Sequence, residues 1–241
     1  MSLINVNIKK KLNEFTLDIQ FCEEGANIIV VLGESGCGKS TLLNSIAGIV
    51  TPDSGEITVN NNVLFNKDKN INVPIYKRKI GYIQQKNNLF PHISVEDNIK
   101  YGLKENSINF GELINELEIK EILTKYPNEI SGGQGQRVSI ARSIVTNPSV
   151  LLMDEPFSAL DNVMRLNLRN LVKKLNRDLK VPIIFVTHDL EEAYYMGDKI
   201  IVMNKGTILQ VGNKEEIFNS PICTKVRDFI KNFNDKSEMI T

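Results

Sequence analysis

Between Gly33 and Ser40 the chain reads GESGCGKS, directly after the apolar run NIIVVL (Asn27 to Leu32) and directly before a helical pattern. Few segments this short narrow the possible folds so far. It satisfies G-x-x-x-x-G-K-[ST] in full, and a strand before with a helix after is the context the pattern requires. Glycines let the backbone turn tightly enough for successive N–H groups to converge on one point. The helix that begins near Lys39 adds the positive end of its dipole. Lys39 supplies a full charge for the β- and γ-phosphates, and the Ser40 hydroxyl can ligate Mg2+. Gly33, Glu34, Ser35, Gly36, Cys37, Gly38, Lys39, Ser40 and Thr41 are therefore the expected cradle of a nucleoside triphosphate. A chance glycine turn is the competing reading, and it leaves the coincidence of motif and context unexplained.

The remaining patterns fit an α/β sheet. INVNIKKKLNEFTLDIQF alternates apolar and polar residues, which predicts antiparallel strands with a turn near Asn13. NIIVVL, SVLLMDEP (Ser149 to Pro156) and PIIFVTH read as buried strands covered on both faces, and IGYIQQ (Ile80 to Gln85) as a further strand. Leu42, Leu43, Ile46 and Ile49 recur at helical spacing, and Met164, Leu168, Leu171, Val172, Leu175 and Leu179 mark one face of an amphipathic helix. EEAYYMG is a short helix stopped by Gly197, KIIVMNKGTILQVG a hairpin turning at Asn204 to Gly206, and the tail from Glu215 a further helix. From Lys86 to Pro148 the chain turns polar, asparagine-rich and helical, with loops at NNLFPH and YPNEISGGQ. This predicts one domain, with residues 1–85 and 149–241 as an α/β core and 86–148 as a helical insert.

Composition removes several classes of function. Lysine plus arginine equals aspartate plus glutamate, at 29 each. That balance argues against bulk nucleic-acid binding, which needs a basic excess. Cys22, Cys37 and Cys223 are odd in number and lack CxxC spacing, so they read as free thiols of a reducing compartment. The polar start MSLINVNIKKKLNEF lacks the apolar segment of a signal peptide, and no apolar run approaches the ~20 residues that cross a bilayer. The expected location is cytosolic, with any membrane role reached through a partner.

Four further features carry chemistry. Asp154 closes an apolar strand, where open α/β sheets place their ligands, and is the expected Mg2+-side carboxylate. Glu155 beside it can polarise an attacking water. Ser131, Gly132 and Gly133 stand before a helix, a second anion site by the same physics as the first. A second phosphate-type site without a second lysine loop suits the nucleotide of another copy of the chain. His188 after one strand and Gln85 at the end of another occupy strand ends that line α/β ligand sites, and a glutamine there can orient water or touch the metal. Taken singly, these residues read as an acidic turn, a structural histidine and a surface amide.

Together the motifs resemble the ATP-binding subunits of ABC transporters over essentially the whole chain. The resemblance rests on a Walker A loop (Gly33 to Ser40), a Q-loop glutamine (Gln85), the signature Ser131-Gly132-Gly133-Gln134, and Walker B with its glutamate (Asp154, Glu155). A D-loop (Ser158-Ala159-Leu160-Asp161) and a switch histidine (His188) complete it. It implies a P-loop NTPase core of the RecA-like kind with an antiparallel β subdomain and an inserted helical subdomain. It implies a head-to-tail homodimer sandwiching two ATP molecules, each between one copy's Walker A and the other's Ser131, Gly133 and Gln134. By the same resemblance Glu155 is the general base, His188 contacts the γ-phosphate, Gln85 senses it and joins Ser40 and Asp154 around Mg2+, and Asp161 lies at the dimer seam. Two membrane permease subunits are the implied partners, with an extracytoplasmic substrate-binding protein reached indirectly, no nucleic acid, and a place on the cytoplasmic face of the cell membrane. Leu89, Phe90 and Ile93 are the expected apolar contacts of a groove for a permease helix; packing inside the helical insert is the alternative.

INVPIYKRKIGYIQQKNNLFPHISVEDNIKYGL looks most like molybdate-type importer ATPases, then sulfate, polyamine or iron importers. Ile130 before the signature, Gly135 after it and Gln84 depart from the common pattern, and Phe15 is the candidate to stack on adenine. Gly135 is expected to loosen the first helical turn. A non-transport ABC ATPase acting on DNA or ribosomes would bring fused cassettes, coiled-coil inserts or basic arms, and a P-loop kinase or GTPase would leave Ser131 to Gln134 without purpose.

Overall fold

The computed structural model describes residues 3–103, 109–158 and 160–238; of the motif residues, Ala159 lies outside them. The strands are β1 (Ile4–Lys11), β2 (Thr16–Glu23), β3 (Ile28–Leu32), β4 (Ser54–Val59), β5 (Asn62–Asn66), β6 (Ile71–Asn72), β7 (Ile80–Ile83), β8 (Val150–Asp154), β9 (Ile183–Thr187), β10 (Lys199–Asn204) and β11 (Thr207–Gly212). The α-helices are α1 (Lys39–Ala47), α2 (Val95–Lys100), α3 (Phe110–Glu116), α4 (Gly132–Ile144), α5 (Asn162–Leu179), α6 (Leu190–Met196), α7 (Lys214–Asn219) and α8 (Thr224–Glu238). Two compact units result, Met1–Arg78 with Pro182–Thr241, and Lys79–Val181.

In the first unit the strands run β6-β5-β4-β1-β2-β11-β10-β3-β9. β3 pairs in parallel with β9 (Leu32 opposite Thr187) and with β10 (Leu32 opposite Val202). Every residue of β3 and β9 is buried, as continuously apolar parallel strands require. β1 and β2 pair antiparallel through Lys11 and Thr16, which places the turn at Asn13 as expected, and β2 alternates strictly between buried and exposed. The antiparallel ribbon continues through β4, β5 and β6, and its β4–β5 turn holds Asn60 and Asn61 at positive φ, a conformation asparagine tolerates.

α1 packs Leu42, Leu43 and Ile46 into this core and ends at Gly48, whose φ of 88° lets its N–H reach back to Asn44 and Ser45. Arg78 closes the same helix end. Its buried guanidinium donates to the carbonyls of Ser45 (3.1 Å), Ile46 (2.8 Å) and Val73 (2.8 Å) and to Asn72 Oδ1 (2.8 Å). Elsewhere in this unit, Glu23 accepts from the N–H groups of Glu24 and Gly25 and from Asn27 Nδ2, and pairs with Lys199 at 2.9 Å. The ends of β2, β3 and β10 farthest from the glycine loop are thereby tied together.

The second unit holds the parallel pair β7 and β8, in register from Ile80 opposite Val150 to Ile83 opposite Met153, with α2, α3, α4 and α5. α5 buries Leu168, Val172 and Leu175 from the predicted apolar face. Asn98 of α2 is fully buried and fixes the preceding loop. It accepts from Phe90 N and donates to the carbonyls of Phe90, Ile93 and Ser94.

Several local expectations need correction. β7 ends at Ile83, so Gln84 and Gln85 lie past the strand. Gly132 and Gly133 are inside α4, with Ser131 as its N-cap, because a capping box fixes the helix start two residues earlier than the glycines suggest. Gly197 has a φ of −76° and so stops α6 without a left-handed turn; an added Cβ would lie 3.0 Å from Ala193 O and 2.8 Å from Ile200. The tail forms two helices instead of one, since Asn213 and Glu216 cap α7 before α8 begins.

Candidate nucleotide site

β3 delivers the chain at Leu32 into the glycine loop, and α1 leaves it at Lys39. Gly36 (φ 80°) and Gly38 (φ 108°) hold the left-handed conformations that bend the loop over itself. Gly33 is tight against its neighbours: a Cβ there would stand 2.5 Å from Met203 O and 2.8 Å from Cys37 Sγ. Lys39 is buried, and its ammonium donates to the carbonyls of Gly33 (2.7 Å) and Glu34 (2.8 Å). The loop's own backbone thus holds the charge inside the turn. Glu34, Ser35 and Gly36 are exposed at the tip, Ser40 is exposed and Thr41 half-buried in the first turn of α1. Burial pushes the Cys37 thiol up from its ordinary range, so at neutral pH it is a packed, protonated side chain.

The turn between β10 and β11 completes this side. Gly206 N donates to Cys37 O (2.9 Å), and Asp18 N to Gly206 O (2.7 Å). A cleft of about 220 Å3 opens there, lined by Glu14, Phe15, Glu34, Ser35, Asn204 and Lys205 among others. Phe15 also flanks Gly38, its ring 3.4 Å from where a Cβ would stand. An aromatic beside a phosphate loop offers a face for a base. His188 belongs to the same unit and follows β9, the strand paired with β3, so it leaves the sheet next to the loop and is exposed. Its neighbours are fixed: Thr187 Oγ1 donates to Glu192 Oε2 (2.6 Å), and Asp189 caps α6 through Glu192 N (3.0 Å).

The remaining candidates are in the second unit. Asp154 ends β8 half-exposed, hydrogen-bonded to the phenol of Tyr82. Burial, with the Asp154 charge beside it, pushes the Tyr82 pKa up, so the phenol stays protonated. Glu155 follows at a φ of 46°, a left-handed conformation that is costly for glutamate and common where a site dictates the backbone. Ser158 joins Glu155 to Gln85: its hydroxyl donates to Glu155 O (3.0 Å) and accepts from Gln85 Nε2 (3.2 Å). Asp161 caps α5 by accepting from Met164 N (2.9 Å). Ser40 in the first unit offers a hydroxyl and Asp154 in the second a carboxylate, each a hard oxygen donor of the kind Mg2+ takes.

At the start of α4, Ser131 Oγ accepts from Gln134 N (3.3 Å) while Gln134 Oε1 accepts from Ser131 N (2.9 Å). Gly132 is open, with nothing within 4 Å of where a Cβ would stand, whereas Gly133 is packed so that a Cβ would meet Met164 Cε at 2.4 Å and Leu160 Cδ2 at 3.8 Å. The signature turn and the D-loop are therefore neighbours. Tyr82 and Asn98 are functional neighbours that sequence reasoning misses. The Ser94-x-x-Asp97 cap hints at α2, but a tyrosine in a short strand and one asparagine among many carry no local signal.

Residues 16–158 match the family model described as ABC transporter. A molybdenum import ATP-binding protein of Aliivibrio fischeri is 36% identical over 91% of this chain and 61% of its own length. The chain spans about three fifths of the length of that relative. A sulfate/thiosulfate import ATP-binding protein of Halalkalibacterium halodurans is 38% identical over 97% of the chain and 68% of its own. Among solved structures, the ATP-binding cassette MJ0796, dimeric in a post-hydrolysis state with ADP and Pi, superposes with a TM-score of 0.72 at 27% identity, covering 88% of this chain and 98% of that one.

Proposed function

The chain belongs to the ABC transporter family, and from that premise we propose that it is the ATP-binding and ATP-hydrolysing subunit of an import system. The observation that carries the reading is the Lys39 ammonium held inside its loop by Gly33 and Glu34, with His188 leaving the adjacent parallel strand. Lys39 and the loop N–H groups grip the triphosphate from Gly33 to Thr41, and Phe15 stacks on the adenine. Ser40, Gln85 and Asp154 hold Mg2+, which when bound neutralises phosphate charge. Glu155 takes a proton from the attacking water, and His188 donates to the γ-phosphate. Ser131, Gly133 and Gln134 serve the ATP of a second copy, with Asp161 at the seam.

Closure of that homodimer on ATP, and its opening after hydrolysis, drive two permease subunits from the cytoplasmic face of the membrane. A substrate-binding protein outside meets the permease and not this chain. No helix among the described residues is long and apolar enough to cross a membrane. Leu89, Phe90 and Ile93, all partly exposed in the loop that Asn98 fixes, offer the permease an apolar contact. The helical insert of 86–148 is the part that receives this contact, and 1–85 with 149–241 the part that holds ATP. The cargo is molybdate or a related oxyanion, the reading favoured by the Aliivibrio relative; the Halalkalibacterium relative supports sulfate as the second reading.

Glu155→Gln tests the assignment. Hydrolysis should fall by about 10²- to 10⁴-fold, the range for a general base, while ATP still binds and a stable ATP-bound dimer accumulates on gel filtration. Turnover within about twofold of the parent removes Glu155 from that role.

A further inference from the structure

Two residues past Gln85, the Asn87 side chain lies against the signature helix in a space that exists because residue 135 is glycine. A Cβ on Gly135 would stand 2.6 Å from Asn87 Nδ2 and 3.5 Å from its Cγ. From that seat Asn87 Nδ2 donates to the carbonyl of Gly132 (3.3 Å), inside the signature turn. The Asn87 carbonyl accepts from Ser139 Oγ (2.8 Å) and Arg142 Nη2 (3.3 Å), and the Asn88 carbonyl from Arg142 Nη1 (3.0 Å). Three side chains thus fasten the turn after Gln85 along successive turns of α4, and of the three Asn87 is the one that reaches the Ser131–Gln134 segment. Gly135 is itself regular helix, its N–H bonded to Ser131 O at 2.9 Å.

We propose that Asn87, seated against Gly135, is a positioning residue that makes the Gln85 turn and the signature turn move as one piece. This rests on the function proposed for the site, in which Gln85 senses the γ-phosphate of its own copy's ATP and Ser131 meets the other's. The latch then converts the state of one phosphate site into the position of the donor group offered to the second. Its loss leaves the Lys39 loop untouched, so ATP binding is preserved and turnover falls.

The test is a cycle of Asn87→Ala, Gly135→Ala and the double variant, with Asn87→Asp as a near-isosteric probe that cannot donate to Gly132 O. This variant sets a carboxylate oxygen against the Gly132 carbonyl, so its fold is verified by circular dichroism and Tm before its turnover is read. Asn87→Asp should lower kcat by about tenfold with the KM for ATP within about twofold, the split expected when alignment and not binding is lost. Gly135→Ala should lower Tm in the parent, where the methyl evicts Asn87, and raise it in the Asn87→Ala background, where alanine merely favours helix. The double variant should turn over no more slowly than Asn87→Ala. A kcat for Asn87→Asp less than about threefold below the parent, or additive effects in the cycle, overturns the latch. Glu155→Gln separates the two readings: if that variant hydrolyses ATP within about twofold of the parent the site assignment fails, while the thermal cycle still decides whether Asn87 and Gly135 are coupled.

Discussion

Arg78 illustrates how a single side chain carries a whole helix. Its guanidinium satisfies the last carbonyls of α1, the helix whose other end holds Lys39, and faces the negative end of that helix's dipole. Arg78→Met should cost roughly 2–4 kcal/mol in urea unfolding, because buried carbonyls lose charged donors and methionine fills the volume without replacing them. Glu23 does comparable work between β2, β3 and β10. Burial alone would raise its pKa, but the Gly25 N–H and the Lys199 ammonium beside it outweigh burial and hold it below the usual carboxylate value. A carboxylate depressed on folding contributes stability above its unfolded pKa and loses it as pH falls through the folded pKa. Glu23→Gln should therefore lower Tm at pH 7 and leave the two proteins converging under acid conditions; a constant gap across pH would contradict it. On the function proposed above, Tyr82 acts on the site through Asp154, to which its phenol is hydrogen-bonded. Tyr82→Phe should raise the Mg2+ concentration for half-maximal hydrolysis by about tenfold, the usual size of such outer contacts, with little change in Tm.

At the level of elements, the phosphate loop, the paired buried strands and the amphipathic α5 are legible because each carries its pattern within a short window: glycine spacing, β-branched runs, a 3.6-residue period. The start of α4 lies two residues earlier than its glycines suggest, since Ser131 and Gln134 bond reciprocally and draw both glycines into the helix. Ser131→Ala should accordingly cost about 1 kcal/mol of stability as a lost N-cap, besides its effect on turnover. Phe15 gains a place only once the β10–β11 turn brings Gly206 against Cys37 and closes the cleft beside it. Asn87 is invisible in the sequence for the same reason. Its seat is made by a glycine 48 positions away, and Gly135 taken alone looks like a flaw in a helix.

For the molecule as a whole, the informative fact is an asymmetry of chemistry. Ser131, Gly132 and Gly133 open a thirteen-residue helix with donors suited to an anion, yet no second lysine loop exists in the chain to share it. On the function proposed above, a second copy arranged head to tail supplies the missing half, and hydrolysis becomes a property of the pair. The most direct test is the specific ATPase activity at saturating ATP and Mg2+ as the protein is diluted, with mass followed in parallel by light scattering. Activity per chain should fall as the monomer takes over and recover on concentration. Activity per chain that stays constant into a purely monomeric regime would contradict the shared site.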